Sequence, residues 1–418
     1  MIDNDNRSPS ASEPETTGNF LVLYAGDAHA ALANLFTDGG ISTSSTAEVG
    51  ASEAKQPSEN NSALILHNLN IAVVKAPVET LETISTAEVE GGNPILTIEP
   101  ERVVFAQEDS VTTPAVEGSP ETWGLAITQV PNSLFSGRGI RICILDTGLD
   151  LNHPDFAGRQ IVSNSFIDGE GVQDGHGHGT HCTGTACGPL QPSQSPRYGI
   201  AYEAEIYIGK VLNNEKGRGT DGSIIAGINW AVENQCAIIS MSFGTRTIIG
   251  QPFSQVYETL ARRAMAQGTL IIAAAGNDSF RSFDNPIFNP VEHPGNCPSI
   301  MAIGAVDSKL EVSPFSNRGL NPNGGEVDLV GPGVEVYSSW SHSSLTLPQN
   351  YNTIDGTSMA TPHVAGIAAL LAQANPGVRG KALWNLLLQT ARPLASLNVS
   401  DVGSGLVQAP LVISSNGT

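Results

Sequence analysis

The sequence predicts an α/β fold in which helices cover both faces of a parallel sheet, preceded by a small α+β unit. From Trp123 onward, short segments are apolar throughout rather than alternating, as expected of strands buried on both faces. Helical patterns lie between them, since residues 221–235 start on an Asp cap and residues 255–268 stop on a Gly. Strands that alternate with helices indicate a parallel sheet. The predicted strands are IRICILD, EIYIGKVL, AIISMSFG, LIIAAAGN and MAIGAVD.

The region before Trp123 divides into three parts. Residues 1–18 are polar and are expected to form a disordered tail. Residues 19–106 predict the α+β unit, with a loop or ragged strand in the Gly-, Ser- and Thr-rich stretch 39–61. Residues 107–122 have no apolar period and contain two prolines, so they predict a linker. Within the unit the expected elements are a strand (NFLVLYA), a helix (AHAALANLF), a strand or hairpin (ALILHNLNIAVVKA), a short helix (VETLETI) and a strand pair (NPILTIEPERVVFA).

Composition restricts the class of protein. The chain has 418 residues, 40% of them hydrophobic, which allows a substantial core and more than one domain. Its formal net charge of -21 argues against nucleic acid as a partner, because phosphate backbones would repel it. The N-terminus lacks a basic start followed by an apolar run, so no Sec signal peptide is predicted. The longest apolar helix candidate, residues 364–374, is too short to span a membrane, and we expect a monomer.

The number and spacing of the cysteines indicate the cellular compartment in which the protein works. Their number is odd and no C-x-x-C pair occurs, so a zinc knuckle or redox motif is not supported. We expect mostly free buried thiols, which fit a reducing compartment and hence the cytoplasm, with extracellular location by non-classical export as the alternative. The cysteines are Cys143, Cys182, Cys187, Cys236 and Cys297.

Three residues stand at separate edges of the predicted sheet, where function gathers in parallel α/β proteins. Asp146 follows the first strand, His178 begins a small-residue helix, and Ser358 lies in the first turn of a long apolar helix that tolerates Pro362. A serine hydroxyl is a weak nucleophile that needs a base within hydrogen-bond reach and a third group to orient that base. An Asp, a His and a Ser can supply these roles.

The motifs around these residues resemble those of a known family. DTG, HGTHCTGT and GTSMATPHVAG, in the chain order Asp, His, Ser, are similar to the three signatures of the subtilases, the subtilisin and proteinase K superfamily. The resemblance runs from Trp123 to about Val412, and it implies a subtilisin-like peptidase domain over residues 123–418. It implies a serine endopeptidase that hydrolyses peptide bonds through an acyl-enzyme, with no cofactor required for the chemistry.

The resemblance also implies a role for each matching residue. Ser358 would be the nucleophile, His178 the base that takes its proton and later protonates the leaving amine, and Asp146 the group that orients the imidazole. AAAGN resembles the oxyanion segment of the family, so Asn277 would donate to the tetrahedral oxygen together with the Ser358 amide.

The stretch DGHGHGTHCTG contains three histidines within six positions and raises the alternative of a metal site. The match to the family assigns His178 as the base, His181 as a structural residue behind the site, and His176 as an exposed residue. A zinc cluster stays open as the alternative, although the nearby carboxylates are few. Cys182 is expected beneath the catalytic histidine.

Further matches imply a substrate groove. In this family the peptide substrate binds as an extra β-strand between two edge segments of the enzyme. KGRGTDG resembles one edge, SFGT resembles the other, and residues 273–276 resemble the opposite pocket wall. Pro294 in VEHPG matches a cis proline. The substrate-binding residues implied in this way are Gly217, Gly219, Ser242, Phe243, Gly244, Ala274, Gly276 and Glu292.

Glu292 matches a position at the base of the specificity pocket. A buried carboxylate there would favour Lys or Arg before the cut bond, because a buried charge needs a partner. The alternative is a side chain that turns outward into solvent. Residues 105–121, where processing is expected, contain no Lys or Arg, which speaks against strict basic specificity.

Residues 19–106 resemble the propeptide of the family, a ferredoxin-like domain that acts as an intramolecular inhibitor and folding chaperone, so a self-processed zymogen is implied. Asp155 matches a calcium ligand, but GPLQPSQSPRYG replaces the usual asparagine-rich calcium loop, so no metal ligand is assigned. Two other functions stay open: a dedicated maturation protease or transpeptidase for one cellular peptide, and a catalytically silent peptide-binding pseudoenzyme.

Overall fold

The fold is described from a computed structural model. It describes residues 14–46, 56–57, 59–106, 119–281 and 284–411. The expected linker lies largely outside these residues, as do most of the expected tail and part of the stretch 39–61.

The N-terminal unit is an antiparallel sheet with helices on one face. Its strands run in the order β5-β1-β4-β3-β2, and only the short edge pair β2 and β3 is parallel. One face of the sheet packs against the two helices and forms a core with them. The helices contribute Leu32, Phe36 and Leu81 to this core. The elements are β1 (Thr16–Tyr24), α1 (His29–Asp38), β2 (Ser42–Ser45), β3 (Ser62–Leu66), β4 (Ile71–Lys75), α2 (Val78–Ser85) and β5 (Ile95–Ala106).

Two expectations for this unit are wrong in detail. The first strand begins at Thr16, inside the range expected for the disordered tail. Residues 95–106 form one long strand rather than a strand pair. It stays a single strand because both ends find partners: Ile95 to Pro100 pair with β1, and Val103 to Ala106 pair with segments of the second unit.

The second unit is built on a fully parallel sheet. Its strands run in the order β14-β13-β12-β10-β6-β8-β7, so the chain passes from β6 to the edge strand β7, returns to β8 beside β6, and then moves outward from β10 to β14. The elements are α3 (Trp123–Ile127), β6 (Arg141–Asp146), β7 (Ile161–Ser165), α4 (His178–Cys187), β8 (Glu205–Lys210), β9 (Arg218–Thr220), α5 (Asp221–Glu233), β10 (Ile238–Met241), β11 (Phe243–Gly244), α6 (Gln255–Ala266), β12 (Leu270–Ala274), β13 (Met301–Val306), β14 (Leu329–Pro332), β15 (Val336–Ser339), β16 (Tyr351–Ile354), α7 (Thr357–Ala374), α8 (Gly380–Thr390) and α9 (Val399–Val402).

Helices cover both faces of this sheet, as the apolar strand pattern predicts. Successive side chains of a strand point to opposite faces. Ile142 and Ile144 therefore enter a core with α4, α7 and α8, whereas Cys143 and Leu145 enter a core with α5 and α6. All five cysteines are buried free thiols, which confirms that expectation. Among the described residues no helix is both long enough and apolar enough to cross a membrane.

The two units share a core and a set of helix caps. The second face of the N-terminal sheet packs on α5 and α6. Glu99 accepts hydrogen bonds from Ser254 Oγ at 2.6 Å and from the Gln255 amide at 2.7 Å, at the start of α6. Glu101 accepts the Gly222 amide at 2.8 Å, at the start of α5. Carboxylates at helix N-termini satisfy amides that lack intrahelical partners and interact favourably with the helix dipole.

Candidate active site

Asp146 is the last residue of β6, and a tight turn follows it. Gly148 has a φ of +109°, and a Cβ atom there would lie 2.1 Å from the Val172 carbonyl oxygen. Only glycine combines this conformation with so close an approach. The turn directs the chain away from the sheet edge and leaves the Asp146 side chain, which is 1% exposed, at the carboxyl end of the strand.

His178 begins α4 and contacts Asp146 directly. His178 Nδ1 lies 2.8 Å from Asp146 Oδ1, and both side chains are buried. Gly177, with a φ of +116°, precedes the helix and packs its Cα against the indole of Trp340. The contact between the predicted base and its orienting carboxylate is therefore formed.

Ser358 lies in the first turn of α7, buried beneath the groove. Its Oγ donates to the Ser242 carbonyl at 2.8 Å, while His178 Nε2 has no hydrogen-bond partner among the described residues. The Cys182 thiol links the two, since its Sγ lies 3.9 Å from His178 Nδ1 and 3.6 Å from the Ser358 carbonyl. The serine hydroxyl must therefore rotate away from Ser242 before it can reach the imidazole.

The Asn277 side chain lies next to the start of α7, and its NH₂ group has no partner among the described residues. Its Oδ1 accepts hydrogen bonds from the Thr357 amide at 2.9 Å and from Thr357 Oγ1 at 2.8 Å. These two bonds fix the orientation of the carboxamide and leave Nδ2 as its unpaired group. Nδ2 is buried and has no partner in the described chain. A fixed, unpaired donor beside the predicted nucleophile is suited to an oxyanion.

The electrostatics of His178 differ from those of an imidazole in water. Burial disfavours the charged form, but the Asp146 carboxylate and the Cys182 thiol together outweigh it, and the pKa of His178 is raised well above its ordinary value. Burial raises the pKa of Cys182 to about 11, so that this side chain stays a neutral thiol. Cys182 thus lies beneath the histidine, as predicted, as a neutral neighbour.

The three histidines of DGHGHGTH do not converge on one point. His181 is buried, its Nε2 bonds the Val336 carbonyl at 3.0 Å, and burial lowers its pKa to about 3. The ring centroid of His176 lies 6.3 Å from that of His178, whose Nδ1 is occupied by Asp146. His176 was expected to be exposed, which is wrong: it is half-buried because Ser344 binds its carbonyl and Gly217 lies against its ring. His181 is therefore held apart from the other two rings, and the described residues whose ligand atoms lie close enough together for a metal are Asp146, His178 and Cys182.

Two buried charged residues hold the turn that follows Asp146 in place. The sequence did not indicate this role for either of them. Asp174 accepts hydrogen bonds from Thr147 Oγ1 at 2.9 Å and from Thr180 Oγ1 at 2.6 Å, so it joins the turn after β6 to α4. Lys210 ends β8, and its Nζ binds the Thr147 carbonyl and lies 3.2 Å from Glu170. Position at a strand end was the signal that could have indicated Lys210.

The expected groove is occupied by the N-terminal unit. The end of β5 lies between β9 and β11, with Val104 opposite Gly219 and Phe105 opposite Gly244. The Ala106 amide donates to the Gly217 carbonyl at 2.9 Å, and Ala106 lies opposite Phe243. The two segments predicted as groove edges therefore do bind an extended chain.

The residues predicted to line the specificity pocket lie close to one another beside this groove. Ala274 ends β12, and Gly276 follows it with a φ of +106° and its amide on Thr357 Oγ1 at 3.1 Å. Glu292 is 1% exposed between Gly244 and Gly276, so the outward, solvated alternative for its side chain is wrong. The peptide bond before Pro294 is cis, as predicted.

Asp155, the residue that matches a calcium ligand, is surrounded by hydrogen-bond donors. Its Oδ2 accepts from the phenol groups of Tyr198 at 2.5 Å and Tyr351 at 3.1 Å, and its Oδ1 accepts from the Ser193 amide at 2.6 Å. Calcium requires six to eight oxygen ligands with free lone pairs. Donors aimed at both carboxylate oxygens do not fit such a site.

Comparison with known proteins agrees with this geometry. Residues 137–405 match the model of the subtilase family. The chain is 36% identical over 311 residues to an alkaline protease of Alkalihalobacillus alcalophilus, covering 73% of each chain. It is 37% identical over 291 residues to subtilisin BL of Lederbergia lenta, covering 69% of this chain and 96% of that one. It is 33% identical over 309 residues to subtilisin E of Bacillus subtilis, covering 73% of this chain and 74% of that one. The chain therefore belongs to the subtilase family, and it is a serine endopeptidase.

Proposed function

We propose that Asp146, His178 and Ser358 form the catalytic triad of this endopeptidase. The observation that carries the proposal is the 2.8 Å contact between Asp146 and His178, which leaves the second imidazole nitrogen without a partner among the described residues. Asp146 holds the imidazole in the tautomer that carries its proton on Nδ1, so Nε2 can accept a proton.

The reaction proceeds in two steps. Ser358 Oγ attacks the peptide carbonyl carbon and its proton passes to His178 Nε2; the C–N bond then breaks, and His178 gives the proton to the departing amine. Water attacks the resulting ester, His178 takes a proton from that water, and the proton returns to Ser358 Oγ as the acid is released. Asn277 Nδ2 and the Ser358 amide stabilise the oxyanion, and such a side-chain donor is worth about 10²–10³ in turnover.

The N-terminal unit serves as an intramolecular inhibitor in this proposal. The end of β5 fills the groove that a substrate would occupy, and a bound strand there buries Ser358. The shared core and the caps at Glu99 and Glu101 hold the unit in place. The enzyme is therefore made as a zymogen that must cut and release this unit.

The pairing of β5 predicts where the cut falls. Ala106 lies opposite Phe243, so the next register position faces Ser242, whose carbonyl accepts from Ser358 Oγ. Gln107 follows Ala106 in the chain and is outside the described residues. We expect self-cleavage between Gln107 and Glu108.

Intact mass spectrometry of the purified chain tests both the role of Ser358 and the site of self-cleavage. The wild-type protein should give two fragments that meet at this bond, Ser358→Ala should stay whole, and Ser308→Ala, at an exposed serine, should be cut like the wild type. If wild type and Ser358→Ala both stay whole, self-processing is wrong. If a serine-directed probe then also fails to label Ser358, the chain is a peptide-binding pseudoenzyme instead.

A further inference from the structure

The Glu292 carboxyl lies at the base of the pocket with one oxygen unpaired. A Cβ atom on Gly244 would lie 2.4 Å from Glu292 Oε2, and one on Gly276 would lie 2.7 Å from its Cγ and Cδ. The carboxyl therefore occupies the space between the two pocket walls. Oε2 is buried and has no hydrogen-bond partner among the described residues. An unpaired buried acceptor is costly, so a ligand that pairs with it gains affinity.

The charged groups around Glu292 favour its neutral form. Burial raises the pKa of Glu292 well above its usual range, and the negative charge of Asp278 and a hydrogen bond between the two carboxyl groups act in the same direction, whereas Arg246 acts in the opposite direction. Arg246 Nε lies 3.9 Å from Asp278 Oδ2, so this cation faces the other carboxylate. His293, the next residue, bonds Asp221 at 2.9 Å and does not serve Glu292.

A protonated carboxyl has both a donor and an acceptor, whereas an ionised one has only acceptors. A primary carboxamide matches the protonated form, because its NH₂ donates to the unpaired Oε2 and its oxygen accepts the carboxyl proton in place of Asp278. Lys and Arg have only donors and need the ionised form. The residue after Ala106 in the chain is a glutamine.

We infer that Glu292, set between Gly244 and Gly276, selects glutamine as the residue whose carbonyl is attacked, and accepts lysine or arginine only once its carboxyl is ionised. This inference rests on the proposed function of the triad. It also accounts for the absence of Lys and Arg from residues 105–121, which a strictly basic pocket would not.

A peptide series that differs only at this residue tests the inference on the mature enzyme. The residues are Gln, Glu, Phe and Lys, and kcat/KM is measured from pH 6 to pH 10. At neutral pH the Gln peptide should be cut at least about tenfold faster than the Phe and Lys peptides, since one extra matched polar pair is worth about 1.4 kcal/mol. The kcat/KM of the Lys peptide divided by that of the Gln peptide should rise with pH. The rise should be up to about tenfold per pH unit while Glu292 remains mostly protonated.

Matched variants separate Glu292 from other causes. Glu292→Gln should keep the Gln preference and lose the pH dependence of the Lys to Gln ratio, while Glu326→Gln, at an exposed position, should behave like the wild type. Equal rates for Gln, Phe and Lys at every pH, or a Lys preference already at pH 6, would overturn the inference and leave the triad untouched. Failure to cut any peptide would overturn the proposed function itself. The wild-type series alone decides the inference if Glu292→Gln does not fold.

Discussion

His178 has no exposed surface, and a buried imidazole is easier to keep neutral than to charge. The adjoining Asp146 reverses this preference and raises the pKa of His178. A general base works only in its deprotonated form, so a raised pKa moves the onset of activity to higher pH. The enzyme is therefore expected to be most active on the alkaline side.

Asp146→Asn tests this electrostatic effect. The substitution removes the negative charge and leaves the burial, so the pKa of His178 falls and the acidic limb of kcat/KM moves to lower pH. The rate at the plateau should fall about 10⁴-fold, because the imidazole loses the carboxylate that fixes its tautomer. The pH profile of kcat/KM for the mature enzyme measures both effects. An acidic limb at the same pH in wild type and variant would contradict the assignment of Asp146.

At the residue scale, sequence motifs identified the catalytic candidates but not all their contacts. Asp146, His178, Ser358 and Asn277 were predicted because each stands in a short motif at a strand end or helix start. The bond from Ser358 to Ser242 was not predictable, because a serine rotamer depends on atoms 116 residues away. The hydrogen bonds of Asp174, which join the turn after β6 to α4, were not predicted either.

At the element scale, the strands inside continuous apolar runs were predicted well, and the two-residue strand β11 was not. Strands β6, β8, β10, β12 and β13 have strong apolar patterns that local sequence reveals. Strand β11 has only two residues and exists because β5 pairs with it. A pairing between segments so distant in the chain leaves no local periodicity. Tight turns such as that at Gly148 likewise depend on a contact with Val172.

Substitution of two glycines distinguishes a steric requirement from a conformational one. Gly139 and Gly148 both have positive φ, but a Cβ on Gly139 meets no atom within 4 Å, whereas one on Gly148 clashes with a carbonyl. In the Ser358→Ala background, Gly139→Ala should lower the free energy of unfolding by about 1 kcal/mol. Gly148→Ala should lower it by more than about 3 kcal/mol, because strain adds to the clash. Urea unfolding measures both, and equal losses would contradict this account of the turn.

At the scale of the whole molecule, one strand joins the two units. Strand β5 completes the N-terminal sheet through β1 and fills the groove through β9 and β11. The sequence predicted both units and the groove edges separately. It did not predict the caps at α5 and α6, because Glu99 and Glu101 look like ordinary surface residues of a strand.

The contacts of Asp155 predict that stability depends on tyrosines rather than on calcium. Tyr198 and Tyr351 come from distant parts of the chain and meet at this carboxylate, so they hold the loop after α4 against β16. A calcium site filled at one hundred times its Kd would add about 2.7 kcal/mol and raise the Tm of a protein of this size by roughly 3 °C. We expect the Tm of the Ser358→Ala chain to be the same in calcium and in chelator, and Tyr198→Phe to lower it in both. A calcium-dependent rise that disappears in Asp155→Asn would instead make this carboxylate a ligand. A rise that survives Asp155→Asn would assign the ion to another site.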